Sequence, residues 1–270
     1  MLAALSLAVM ALIPYVVRTS AVAPTDQIAT LSQLRHWHGQ GLKTRQYRQG
    51  HEFAVQQQAA SDPDCSKVSC IALTFDDGPN PATTSQILST LESNHIPATF
   101  FIVGSRVAGN ENLLQRMFND GDEIGNHSWS HPDMTKLSPN DVRQQIDQTQ
   151  QAIAASGVPA PTLFRPPYGA VNQTVRDAAG PLALVLWNED PKDWAADSSA
   201  QVLSADETKI KPGSVLISHD IYHVTADALQ PLITNLQRRN VVFVTVSPLM
   251  HDYPLIDGQF YGAYKPKLPI

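Results

Sequence analysis

An α/β fold with about seven parallel strands is what this sequence predicts, and three observations carry it. From residue 70 onward short apolar runs recur, each followed by a stretch long enough to hold a helix. One of those stretches carries a full helix signature. The residues able to do acid-base or metal chemistry fall almost entirely just after the runs, where parallel α/β folds keep their ligands. The runs are CIALTF (70–75), ATFFIV (98–103), DEIGNH (122–127), TLFRPP (162–167), LALVLW (182–187), SVLISH (214–219) and VVFVTV (241–246). Seven such units are enough to curl into a barrel. The signed helix opens with Ser138 as N-cap, Pro139 at its first position and Asp141 in its first turn; Val142, Ile146, Thr149 and Ile153 then form one stripe. No repeat, low-complexity tract or linker interrupts 70–250, so a single domain is expected there.

The 270 residues carry a formal charge of −6 and no run of Lys or Arg. That balance argues against nucleic acid or an anionic membrane surface and favours a neutral substrate. Residues 2–17 are apolar but broken by Pro14, and shorter than the ~20 residues of a spanning helix. With the small-x-small pattern Ala21-Val22-Ala23, residues 1–23 read as a signal peptide or an uncleaved N-terminal membrane anchor, hence a secreted or cell-envelope protein. In an exported chain Cys65 and Cys70, the only cysteines, read as a disulfide. Residues 24–64 read as a polar tether or irregular cover, with His36, His38 and His51 at its surface; 251–270 read as a C-terminal extension.

The stretch IALTFDDGPN sets Asp76 and Asp77 at a strand's C-terminal tip, ahead of the Gly78-Pro79 breaker. Two carboxylates there repel unless a cation or a proton separates them. HSWSH spaces His127 and His131 at i and i+4, which on a helical turn aims both imidazoles one way. A zinc-protease helix would carry Glu after the first His, where Ser128 stands. One Asp of the pair can instead complete a His, His, carboxylate set with an open position, and its neighbour can take a proton from water. Such a set also suits iron(II) in an oxygenase, but those sites sit in all-β folds, against the βα alternation here. FRPPYG is a rigid loop in which Arg165 can hold an Asp ionised and a backbone N–H can meet an oxyanion. DPKDW adds an acid and a flat ring, and LISHD ends a strand on His219.

Taken together, TFDDG (74–78), HSWSH (127–131), RPPYG (165–169), DPKDW (190–194) and ISH (217–219), in this order, resemble the motifs of the polysaccharide deacetylases, carbohydrate esterase family 4. The resemblance covers roughly 65–250 and implies a distorted, incomplete (β/α) barrel that removes acetyl groups from carbohydrate with a divalent metal. By that resemblance Asp76 is the general base, and Asp77, His127 and His131 bind the metal, zinc first, with cobalt, nickel or manganese as alternatives. Arg165 orients Asp76, the Tyr168 backbone N–H shares the oxyanion, and Asp193 tunes His219, the general acid. Trp194, with Pro166 and Ile217, contacts substrate; Ile217 departs from the Leu more usual in the acetyl pocket, a nearly volume-conserving change that bears on substrate preference. The expected reaction is removal of N-acetyl groups from N-acetylglucosamine residues of peptidoglycan or a chitin-like oligosaccharide, by a monomer. An O-acetyl xylan esterase on the same scaffold is the second reading. A non-catalytic sugar-binding relative is the third, and it has no need of both Asp76 and His219.

Overall fold

The computed structural model describes residues 63–204, 209–253 and 259–262, all within the compact unit Val55–Ile270. The expectations for residues 1–62, including the signal or anchor, the tether and its three histidines, lie outside the described residues. Strands and helices alternate as β1 (Cys70–Asp76), α1 (Thr83–Asn94), β2 (Thr99–Ile102), α2 (Glu111–Asp120), β3 (Glu123–Asn126), α3 (Pro139–Ala155) and β4 (Leu163–Phe164). They continue as α4 (Gln173–Ala179), β5 (Ala183–Leu184), α5 (Ser199–Ser204), β6 (Ser214–His219), α6 (His223–Gln237), β7 (Val242–Val244) and α7 (Val246–Asp252).

All seven strands belong to one parallel sheet in the order β5-β4-β3-β2-β1-β6, with β7 also on β1. Since β6 pairs with β1 over Ile71–Asp76, β2 and β7 share the other edge of β1, at Thr74–Asp76 and Cys70–Ala72 respectively. The sheet curls until its ends meet without a regular ladder. Asn188 and Glu189, just past β5, donate their N–H groups to the Val215 carbonyl, and Ile217 N–H donates to Glu189 O at 3.0 Å. Below them Phe260 bridges Val185, and Gly262 bridges Ser214. The residues read as a C-terminal extension thus supply Gln259–Gly262 to the closure, with Phe260 buried.

Strand alternation sorts side chains to two faces. Ile71, Leu73, Phe75, Phe100, Ile102 and Leu216 pack outward against Ile87, Leu91, Leu114, Leu229 and Ile233 of the helices. Ala72, Phe101, Leu163, Val185 and Val215 pack inward on one another. Inside, Gly125 is required by close approach, because a Cβ there would meet the Phe101 ring at 2.4 Å. At the N-terminal ends of the strands the interior is closed by Val246 and Leu249 of α7 and by Cys65 and Cys70, which form the expected disulfide. Continuing the inward register two residues at a time gives Thr74 and Asp76 on β1, and Ile217 and His219 on β6. The polar site is the top layer of the barrel's own packing.

Helix α3 forms as its sequence dictates. Ser138 Oγ accepts from Asp141 N–H at 3.3 Å, Pro139 opens the helix, and Val142, Ile146, Thr149 and Ile153 are its buried residues. Ser138→Ala should therefore cost about 1 kcal/mol of stability, read as a shifted urea midpoint with an unchanged slope.

Candidate active site

Asp76 closes the inward row of β1 and is buried against Arg165, whose NH1 lies 2.7 Å from Asp76 Oδ1. Arg165 is itself wholly buried. It also donates to Thr74 Oγ1 at 2.8 Å, to Leu186 O at 3.0 Å and to Val185 O at 3.3 Å, and stacks 4.0 Å over the Phe101 ring. Burial raises the Asp76 pKa, with Arg165 and His219 pulling the other way. The carboxylate is thus ion-paired yet more basic than one in water.

Asp77 would face the opposite side of the sheet if the strand continued. Instead its φ of 76° turns the chain, and Oδ1 comes to 3.2 Å from His131 Nε2 and 3.5 Å from His127 Nε2. The next residue must be glycine, because a Cβ on Gly78 would meet Asp220 Oδ2 at 2.0 Å. The two histidines converge as expected, but not on a helical turn. The 127–131 segment is an irregular loop in which Ser128 (φ 68°) and His131 (φ 58°) take the left-handed backbone. That region costs a non-glycine residue about 1–3 kcal/mol and persists where surroundings over-determine it.

His127 is buried, and its Nδ1 hydrogen bonds the Arg165 carbonyl at 2.6 Å. A carbonyl only accepts, so Nδ1 carries the proton and the Nε2 lone pair faces Asp77. Burial pulls the His127 pKa down to about 3, against the pull of Asp77, which keeps the ring neutral. Asp77, His127 and His131 are the group among the described residues whose ligand atoms could share one metal ion, all within 4.8 Å of one another. The fit has independent support: Asp77 Oδ1 is buried and has no hydrogen-bond partner. Ligands held at 2.0–2.2 Å around a tetrahedral ion stand roughly 3.4 Å apart, close to the two separations from Asp77 Oδ1.

On the other side of Asp76, His219 ends β6, its Cα in register with that of Asp76. Its Nδ1 lies 2.8 Å from Asp193 Oδ1, and its backbone N–H donates to Asp193 Oδ2 at 2.6 Å. Burial lowers the His219 pKa, but the hydrogen bond and charge of Asp193, with Asp76 and Asp77, outweigh it and push the value up to about 9. Thr225 Oγ1, one turn into α6, also donates to Asp193 Oδ2 at 2.6 Å. Nothing local in the sequence marks Thr225 for this role. Asp220, buried beneath the pair, has Oδ2 bonded by Thr84 at 2.5 Å and Oδ1 without a partner. Burial pushes its pKa up to about 7, assisted by Asp77 and Asp76 against the Thr84 bond.

Tyr168 is the second residue of the short turn Pro167–Gly169, with φ 60°, so its N–H lacks an acceptor within the turn. Tyr168 is 67% exposed, and its ring packs edge-on against His131 at 4.6 Å. Trp194 is 55% exposed, whereas Pro166 and Ile217 are buried. His223, four residues beyond His219, is exposed at the start of α6 and outside the metal group.

A curled α/β barrel carrying an Asp-His-His group beside a buried Asp-Arg pair has counterparts among known proteins. The family model described as polysaccharide deacetylase matches residues 64–187. The chain is 41% identical over 208 residues to the peptidoglycan-N-acetylmuramic acid deacetylase PdaC of Bacillus subtilis, covering 77% of this chain and 44% of that protein. It is 36% identical over 193 residues to a chitooligosaccharide deacetylase of Bradyrhizobium sp., covering 65% of this chain and 88% of that one. A solved structure described as a T48 deacetylase with substrate matches with TM-score 0.69 and 35% identity, over 74% of this chain and 100% of that one. The chain belongs to the polysaccharide deacetylase family. It spans under half the length of the first two curated relatives, 44% and 41%.

Two outcomes are expected from this geometry. Arg165→Met should destabilise the protein by about 3–5 kcal/mol, because it leaves a buried carboxylate unpaired; adding Asp76→Asn should return most of the loss in urea unfolding. NMR titration of metal-free protein should place His219 near 9. The stability it confers should be full below its unfolded pKa of about 6.5 and be lost as pH rises through that higher value. Asp193→Asn should bring the midpoint down.

Proposed function

We propose that the chain is a metal-dependent hydrolase that removes N-acetyl groups from N-acetylglucosamine residues of a glycan, peptidoglycan or a chitin-like oligosaccharide, giving acetate and a free amine. The observation that carries this is the order of groups along the barrel mouth: the Asp77–His127–His131 trio, then buried Asp76, then the Asp193-supported His219. In this reading Asp77, His127 and His131 hold the cation, and the N, N, O donor set favours zinc, with cobalt, nickel or manganese as substitutes. When bound, that ion supplies the Lewis acidity that polarises the acetyl carbonyl and makes water acidic. Asp76, made basic by burial and oriented by Arg165, takes the water proton. The Tyr168 N–H donates to the developing oxyanion. His219, kept protonated by Asp193, gives its proton to the amine as the C–N bond breaks. Trp194 walls the sugar groove, with Pro166 and Ile217 lining the acetyl end.

In the same proposal residues 65–250 are the catalytic domain, 1–23 direct export or anchor the chain, 24–64 tether it, and 251–270 extend it. No helix among the described residues is long and apolar enough to cross a membrane. The substrate is a neutral acetylated glycan, and the protein works as a monomer in the cell envelope or outside the cell.

The test is acetate release from acetylated chitooligosaccharide, peptidoglycan and acetylxylan, with and without chelator. Activity should need the metal and favour the amides; turnover of acetylxylan alone would overturn the amidase reading. His219→Ala should cost roughly 10²- to 10⁴-fold on the amides and far less on an aryl acetate, whose leaving group departs without a proton. Equal losses on both would remove His219 as the acid.

A further inference from the structure

We propose that Gln145, on α3 and outside the site, is the positioning residue that sets His131 as a ligand; this rests on the reading that Asp77, His127 and His131 hold a divalent cation. The two histidines are held in unequal ways. The His127 ring is fixed through Nδ1 by the Arg165 carbonyl and is buried. The His131 side chain is 25% exposed, and among the described residues no hydrogen bond holds the Nδ1 side of its ring. Beyond the edge-on contact with the Tyr168 ring, what directs it is the backbone of its loop, tied across by His131 N–H donating to Ser128 Oγ at 3.1 Å and strained at both ends, at Ser128 (φ 68°) and at His131 itself (φ 58°).

The two residues between these strained positions are gripped by one atom. Gln145 Oε1 accepts from Trp129 N–H at 3.0 Å and from Ser130 N–H at 2.9 Å. It also accepts from Ser130 Oγ–H at 3.3 Å, and Gln145 Nε2 lies 3.1 Å from Ser130 Oγ. On the loop's opposite edge, Gly104 and Ser105 donate to the Ser128 and Trp129 carbonyls, each at 3.0 Å. The segment is clamped between α3 and that turn. Without the carboxamide, two adjacent N–H groups lose their common acceptor; Ser128 N–H keeps the Asn126 side chain, itself bonded to Ile146 and Gln150 of α3, so the loop stays anchored at its His127 end and is released at its His131 end. His131 then leaves its position 3.2 Å from Asp77 Oδ1, while His127, anchored by its own ring, stays. Outer groups that fix a ligand are typically worth about 10- to 100-fold in metal affinity.

The experiment measures zinc dissociation constants by competition with a chromophoric chelator, for wild-type protein, His131→Ala, Gln145→Ala and Gln145→Glu, alongside unfolding midpoints of the metal-free forms. Glu keeps an oxygen at the same reach and can accept both N–H groups. The expected result is that Gln145→Ala weakens zinc by about 10- to 100-fold, that Gln145→Glu restores most of it, and that the metal-free midpoints of the two variants stay close together. Zinc affinity unchanged in Gln145→Ala while His131→Ala weakens it overturns this proposal and leaves the metal reading standing. A drop in metal-free stability with unchanged zinc affinity makes Gln145 a structural residue only, and also overturns it. Wild-type protein that binds no zinc, or binds it regardless of His131, overturns both.

Discussion

The buried pair of Arg165 and Asp76 is the constraint around which the barrel mouth is built. A guanidinium removed from water is tolerable only if its donors are met, and here the acceptors come from different strands. Thr74 and Asp76 come from β1, and Val185 and Leu186 from the end of β5, while Phe101 of β2 lies beneath the cation. The cation therefore ties the first strand to the far end of the sheet. Thr74 passes the linkage on by donating to the Leu216 carbonyl of β6. Any rearrangement that frees Asp76 also unties the curl, so this carboxylate is as rigid as the fold.

Asp76, Asp77, Asp193 and Asp220 meet at one end of this sheet, and the protein meets the charge of three of them. Asp76 has Arg165 and Asp193 has His219. Asp220 has no cation and sits where burial favours its protonated form. Asp77 is left with two imidazoles, one of them held neutral by burial, and an unpaired buried oxygen. Of the four, only Asp77 has its charge unmet by the protein alone, and it is the carboxylate of the group whose ligand atoms could share one metal ion.

Much of this was legible because strand geometry is periodic. Asp76 and His219 fall on the inward row by counting twos from Ala72 and Val215, and α3 announced itself through Ser138, Pro139 and its apolar stripe. The motif resemblance brought Asp77, His127, His131, Arg165 and Asp193 to one place. The positions set by unusual backbone were not legible. The i, i+4 spacing of His127 and His131 suggested a helical turn, whereas two left-handed residues make the loop. Thr225, Gln145 and the Gln259–Gly262 segment act through contacts distant in sequence, and no local pattern encodes those partners. The last case explains why 251–270 reads as an appendage although Phe260 is part of the core.

The irregular seam between β5 and β6 divides the rim mechanically. His127 and His131 follow β3, which is joined to β1 through continuous ladders on β2. Trp194 follows the seam, where bridges of single residues replace the ladder. Local opening is cheapest where few backbone hydrogen bonds must break. The rim thus has a laddered side and a bridged side, and Trp194, exposed beyond the anchored Asp193, can shift without disturbing the distances among Asp77, His127 and His131.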